Sequence, residues 1–188
     1  MLSFLMTIGN EEDRAFMAAL YRKHQHFMLR IARKYTNNHA DAEDVVSESC
    51  IALYRNIAAL RALDDLCHCY YIASAVKRKA LDLLGMVKRH QKYCVSLEAF
   101  GDVASSASIE KNFILREEVA RVLQAVEQLP VKERIVLKLK YEFELDCADI
   151  AKYAKLSQAS IYKYLSRARE KVRAAVCEAK EEENHVQR

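Results

Sequence analysis

The chain has 188 residues, of which 52% are hydrophobic and 30% charged, with only three glycines and one proline. So little turn-forming material excludes a hairpin-rich β fold, whereas the apolar content is ample for packed cores; the composition points to an all-α protein of one domain or two small ones. The formal charge of +4, from 30 Lys and Arg against 26 Asp and Glu, is modest, so any nucleic-acid role has to rest on local basic clusters.

Six cysteines at 50, 67, 69, 94, 147 and 177 fall mostly inside helical patterns. They lack the density of a secreted disulfide scaffold and read as reduced thiols of a cytoplasmic protein. Cys67-His68-Cys69 invites a metal, but side chains two apart on a helix diverge by about 200°, and no second Cys/His pair has zinc-finger spacing. No metal or cofactor is therefore expected. The opening MLSFLMTI is too short to span a bilayer and has no basic leader or cleavage signal; it is expected to pack on the first helix. No nucleophile-and-base pair or phosphate-binding glycine loop emerges, which argues against an enzyme.

In chain order, Asn10 followed by Glu11, Glu12 and Asp13 reads as an N-cap with acids in the first turn, where they complement the helix dipole. The helix is expected to run to about Tyr35 with Phe16, Leu20, Phe27, Ile31 and Tyr35 on one face, until Thr36-Asn37-Asn38-His39 breaks it. A second helix from Ala40 to about Leu60 carries Val45, Val46, Cys50, Leu53 and Ile57 as its apolar stripe. Its exposed start is acidic, with Asp41, Glu43, Asp44 and Glu48, either as dipole partners or as a group that docks a basic partner.

Residues 64 to about 90 form a third helix, or a pair, with Tyr70, Tyr71 and Ile72 in the middle. Its second half is basic: Lys77, Arg78, Lys79, Lys88, Arg89 and Lys92 oppose only Asp82, a local charge of +5. Such a cluster neutralises phosphates, and the neighbouring tyrosines could stack on unpaired bases; a solvated face over core tyrosines is the plainer alternative. Residues 94–108, CVSLEAFGDVASSAS, lose the helical period and read as a linker. Beyond it, a helix from Ile109 to about Gln128 keeps Phe113, Ala120, Leu123 and Val126 inside. Pro130 suits the first turn of the next helix, which carries Val131, Ile135, Val136 and Leu139.

Residues 146–173 have the layout of a helix-turn-helix. A short helix after Asp146 buries Ile150, Ala151 and Ala154, a tight break follows at Lys155-Leu156-Ser157, and a longer helix carries Ile161, Leu165, Ala168 and Val172 at three- and four-residue spacing. At about 100° per residue, Lys163 and Ser166 lie opposite that stripe, with Tyr162 and Arg167 on its shoulders. This outward polar face suits the major groove of duplex DNA. After Val176 the tail is charged and expected to fray.

Three stretches together resemble a bacterial RNA polymerase sigma factor of the sigma-70 family, in its small two-domain, extracytoplasmic-function-like branch. HADAEDVVSESCIALYRNI at 39–57 is similar to the family's acidic core-polymerase-binding helix. YYIASAVKRKALDLL at 70–84 is similar to the segment that recognises and melts the minus-ten element, and residues 129–173 to the domain that reads the minus-thirty-five element. The resemblance implies that Asp41, Glu43, Asp44, Glu48, Tyr54 and Arg55 dock core RNA polymerase. It further implies that Tyr70, Tyr71, Lys77, Arg78, Lys79, Lys88 and Arg89 hold minus-ten DNA, and that Gln158, Ser160, Tyr162, Lys163, Ser166 and Arg167 read minus-thirty-five DNA. Promoter DNA and core polymerase are the partners implied, with an anti-sigma factor left open.

The chain departs from the family pattern at the turn and in both DNA-facing helices. Lys155 stands where the family usually has glycine, so the turn is expected to be strained or differently shaped. Tyr162, Lys163 and Tyr164 replace a basic residue, serine and arginine, and Arg78 replaces an asparagine. The domain boundaries read as 1–93, a linker at 94–108, 109–177 and a charged tail at 178–188. The residues alone leave two alternatives: a helix-turn-helix regulator that acts without polymerase, or an anti-sigma-like interaction protein.

Overall fold

The computed structural model describes residues 5–94 and 118–186, with side chains from 5 to 85 and from 118 to 177. The described residues are helical between short turns, with no strand among them. They form two compact units.

In the first unit, α1 spans Glu11–Ala32, α2 His39–Tyr54, α3 Ile57–Arg61 and α4 Asp65–Cys94. α1 starts where the sequence places it: the Asn10 side-chain oxygen accepts from the backbone N–H of Glu12 at 2.9 Å and of Asp13 at 3.4 Å, satisfying donors that no earlier turn can use. It stops three residues before the expected Tyr35, because Lys34 and Tyr35 donate back only three residues, to Ile31 and Ala32. Asn38 then caps α2, accepting from the Asp41 N–H at 2.7 Å while its amide donates to the Asp41 carboxylate at 3.0 Å.

The single helix expected from Ala40 to Leu60 is divided. Asn56 N–H donates to Leu53 O, tightening the last turn, and Asn56 leaves the helical region at φ −118°, ψ 31°. The apolar period nevertheless continues across the break, with Leu60 fully buried. α4, by contrast, is one helix rather than a pair.

α1 packs on α2 and α4, and α2 packs on α4. Met17, Leu20 and Ile31 of α1 meet Val45, Val46 and Leu53 of α2 and Leu66, Ile72 and Val76 of α4 in the core, each such side chain contributing about 1.5–3 kcal/mol relative to exposure. Phe16 and Tyr35, expected on the same face, are only half-buried. Ile8 of the opening segment is buried, whereas Met6 is exposed; residues 1–4 lie outside the described residues. Arg61 closes one edge of the unit, its Nη2 lying 2.8 Å from the Asp13 carboxylate, and Lys23 pairs with Asp65 at another. Burial pushes the Cys50 and Cys69 thiols up to about 12, so both are protonated and inert at neutral pH.

The second unit holds helical residues 118–127, α5 (Val131–Tyr141), α7 (Gln158–Val186) and, between these in sequence, α6 (Cys147–Ala154) as far as Ala151. The expected linker, beyond Cys94, and the expected helix start at 109–117 lie outside the described residues. Pro130 occupies the N-cap position of α5 and its carbonyl accepts from Arg134 N–H at 2.9 Å, a role that needs no proline N–H. α5 packs on α7 through Ile135, Val136 and Leu139; Val131, expected with them, is exposed. The buried Glu133 carboxylate accepts from Lys171 Nζ at 2.8 Å, which stops it from being an uncompensated charge. α7 runs ten residues past Val176 to Val186, so the tail expected to fray continues as helix. Its CEAKEEENHV stretch contains four glutamates, an alanine and a lysine, residues of high helix propensity.

Candidate nucleic-acid interface

The helix-turn-helix forms from α6, a turn at 155–157 and α7. Ile150, Ala151 and Ala154 of α6 are buried, as are Ile161, Leu165 and Ala168 of α7. Lys155 adopts φ +52°, and Leu156 N–H donates across it to Ala151 O at 3.0 Å, a helix-terminating bond that needs a left-handed residue between. Ser157 then caps α7: its Oγ accepts from Ser160 N–H at 3.1 Å.

On α7, Tyr162, Lys163, Ser166 and Arg167 are all exposed, so the face opposite the buried stripe is open over two turns. Gln158 is exposed as well. Ser160 is half-buried, with its hydroxyl 2.8 Å from Ser157 Oγ, so part of its hydrogen-bonding capacity serves the cap.

On α4, Arg78 is exposed, whereas Lys77 and Lys79 are half-buried. Lys79 Nζ lies 3.8 Å from Glu48 of α2. Tyr70 and Tyr71 are half-buried. The side chains of Lys88 and Arg89 lie outside the described residues.

The acidic residues of α2 divide by role. Glu43, Asp44 and Glu48 are exposed, whereas the half-buried Asp41 is engaged by the Asn38 amide. Glu43 lies 3.6 Å from His39 Nδ1. Glu43 and Asp44 also line a cleft of about 240 Å3 with Tyr21, Leu29, Val46 and Ser47. Burial first, then the Cys50 thiol and the Glu43 carboxylate, raise the Tyr21 phenol above its ordinary range. At the far end of α2, Tyr54 is half-buried and Arg55 is exposed.

Residues 20–90 match the family model for Sigma-70 region 2, and residues 120–172 match that for Sigma-70, region 4. The chain belongs to the sigma-70 family. No curated protein matches it. The two matched regions, in this order, are those of a two-domain sigma factor, and they assign the chain to promoter recognition and transcription initiation through DNA binding.

For a sigma-70 helix-turn-helix, Lys155 is the departure with a visible consequence: the residue standing where glycine is usual takes the left-handed conformation for which glycine is suited. The Cβ of Lys155 makes that conformation more costly than it would be for glycine.

Sequence reasoning missed an apolar groove of about 640 Å3 between helical residues 118–127, α5 and α7. Leu123 was expected inside but is 59% exposed on the groove wall, and Ala120 is also exposed, whereas Val126 is buried. Val172, expected in the buried stripe, is half-buried and lines the same groove. Tyr141 and Arg169 border it, the Arg169 Nε donating to the Tyr141 hydroxyl at 2.9 Å. The helical period identified the apolar side of each element but not whether a neighbour covers it.

Among the described residues no cluster of His, Cys, Asp and Glu could hold a metal. His68, between the two cysteines, has its Nε2 2.6 Å from Leu60 O. No described helix is long and apolar enough to cross a membrane.

Proposed function

We propose that this sigma-70 family protein binds core RNA polymerase and directs it to a particular set of promoters. The polymerase-docking and minus-ten functions belong to a domain at 1–93 and the minus-thirty-five function to one at 109–177. The observation that carries the reading is the coexistence, in one chain, of matches to both Sigma-70 regions with a separate exposed charged face on each. Glu43, Asp44 and Glu48 offer carboxylates to a basic surface of polymerase, with Asp41 holding the start of α2 and Tyr54 and Arg55 extending the contact. Arg78 and Lys79, with Lys77, Lys88 and Arg89, neutralise phosphates of the minus-ten DNA, and Tyr70 or Tyr71 stacks on an unpaired base. Tyr162, Lys163, Ser166 and Arg167 read the minus-thirty-five duplex, with Gln158 and Ser160 at the helix start.

The chain itself makes and breaks no bond in this scheme; its contribution is positioning, and the chemistry belongs to polymerase. Co-purification with core polymerase in the absence of DNA tests the docking half. The wild-type chain is retained, and Glu43→Lys with Asp44→Lys releases it while circular dichroism shows the helices still formed, which separates lost docking from the small stability cost of reversing charge near the start of α2. Retention of that variant at wild-type strength would refute the assignment of α2. In-vitro initiation on a promoter library with purified core tests the rest.

A further inference from the structure

One residue on the open side of α7 has no contact assigned to it: Ala159. It is exposed and lies in the first turn of the helix, next to Gln158. Two residues before the buried Ile161, it sits about 160° round the axis from that side chain and about 40° from Lys163. Tyr162 follows three residues on and is 58% exposed. Side chains three apart on a helix are neighbours, with Cβ atoms about 5–6 Å apart, so the Ala159 methyl and the Tyr162 ring adjoin on the surface.

The remaining apolar side chains of these turns face the other way. Ile161, Leu165 and Ala168 are buried and Tyr164 is half-buried, so of the two tyrosines of α7 only Tyr162 is open. Around the pair stand Gln158, Lys163 and Ser166, all exposed and polar or charged. The result is one small apolar contact set in a polar face.

Single exposed apolar side chains are ordinary on a protein surface. This pair stands where a helix-turn-helix places its readers, because the N-terminal residues of the second helix are those that reach base edges in the major groove. Alanine has no donor or acceptor to offer there, and the tyrosine ring is apolar as far as its hydroxyl. What an apolar surface can distinguish in the major groove is the C5-methyl group of thymine, which none of the other three bases carries.

We propose that Ala159 and Tyr162 together form an apolar contact that selects thymine at one position of the DNA read by α7. The proposal rests on the assignment of α7 to the minus-thirty-five duplex, and it adds to that assignment a reader, Ala159, and a base. Cytosine in the same place would leave the contact without its methyl group. Lys163, Ser166 and Arg167 supply hydrogen bonds and charge to the neighbouring positions.

The test exchanges thymine for uracil, which deletes that methyl group and keeps the hydrogen-bonding groups of the base. The full chain first selects its preferred sequence from a pool of randomised duplexes. Labelled duplexes of that sequence are then titrated by anisotropy, with each selected thymine replaced in turn by uracil. At one position uracil should weaken binding about fourfold, the worth of one buried methyl group. In Ala159→Gly and in Tyr162→Ala the ratio of thymine to uracil affinity at that position should fall toward one. Because the ratio compares two duplexes on the same protein, any loss of stability in a variant cancels from it. A selected sequence without thymine, or equal affinity for the two bases at every position, would overturn the proposal and leave the reading of α7 standing. A ratio that survives unchanged in both variants would also overturn it, since the methyl group would then be read by other side chains. Failure to select any sequence would overturn the reading of α7 and the proposal with it.

Discussion

Glu48 and Lys79 join α2 to α4, with Oε2 and Nζ 3.8 Å apart. One is a carboxylate assigned to polymerase docking and the other a cation assigned to DNA phosphates, so each holds the other's charge until its partner arrives. Both ends are partly exposed, so the pair contributes only about 0.2–1 kcal/mol. That is little for stability but enough for up to about fivefold in a binding constant. Glu48→Gln should therefore raise the affinity of the free chain for single-stranded minus-ten DNA by about two- to fivefold. In a Lys79→Gln background the gain should shrink, the non-additivity that marks a direct pair. An equal gain in both backgrounds would mean that Glu48 acts only as a general negative charge.

At Lys155 the left-handed φ of +52° makes a prediction that separates backbone strain from side-chain contacts. Substituting alanine or glycine removes the lysine side chain equally, but only alanine retains the Cβ that disfavours this conformation. Although glycine gives the unfolded chain more freedom, Lys155→Gly should be the more stable of the two by about 1 kcal/mol. Thermal or urea denaturation checks it. The opposite ranking would mean that the turn opens in solution.

Glu127, at the end of helical residues 118–127, pairs with Lys138 and lies 3.5 Å from Arg134. The hydrogen bond from Lys138, and then its charge, hold the Glu127 carboxyl below the ordinary range despite a small opposing effect of burial. A carboxyl depressed in the folded state binds its proton more weakly than in the unfolded chain. Its stabilisation is thus present above the ordinary carboxylate pKa and is lost as pH falls through the folded value. Wild type should therefore melt above Glu127→Gln at pH about 7, and the gap should narrow as pH falls below the ordinary carboxylate range. Because the pair is exposed, the gap is small and should close in high salt.

These pairings were the part least visible in the sequence. Glu48 and Lys79 lie on different helices, and no local period relates them. The elements themselves were legible because their signals are local. Asn10 caps α1 by bonding to residues two and three ahead, and Ile161, Leu165 and Ala168 bury one side of α7 by angular repetition. The break after Tyr54 was hidden because the apolar residues on both sides, Leu53 and Leu60, remain in the core across it. Lys155 was readable only through the resemblance: it stands where the family usually has glycine, so a strained or differently shaped turn was expected, and the residue takes the left-handed conformation with its Cβ in place. Leu123 went the other way, since an apolar side chain at the right spacing says nothing about whether anything lies over it.

The open face of α7 separates base reading from phosphate holding. Arg167 is exposed on a shoulder of the buried stripe, and its guanidinium can make a paired contact to a guanine edge, worth about 1–3 kcal/mol of discrimination. Arg78 on α4 is assigned to phosphates, where a charge supplies affinity without sequence information. Arg167→Ala should therefore lower preference for the best minus-thirty-five sequence about 5- to 150-fold relative to mismatched ones in a binding-site selection. Arg78→Ala should weaken all sequences alike and reduce the salt slope by about 1. Tyr162, 58% exposed on the other shoulder, presents an aromatic edge in place of the cation usual in the family, so Tyr162→Arg should change which bases are preferred rather than simply tighten binding. If Arg167→Ala left the ranking of selected sequences intact, base reading would have to be assigned to another face of α7.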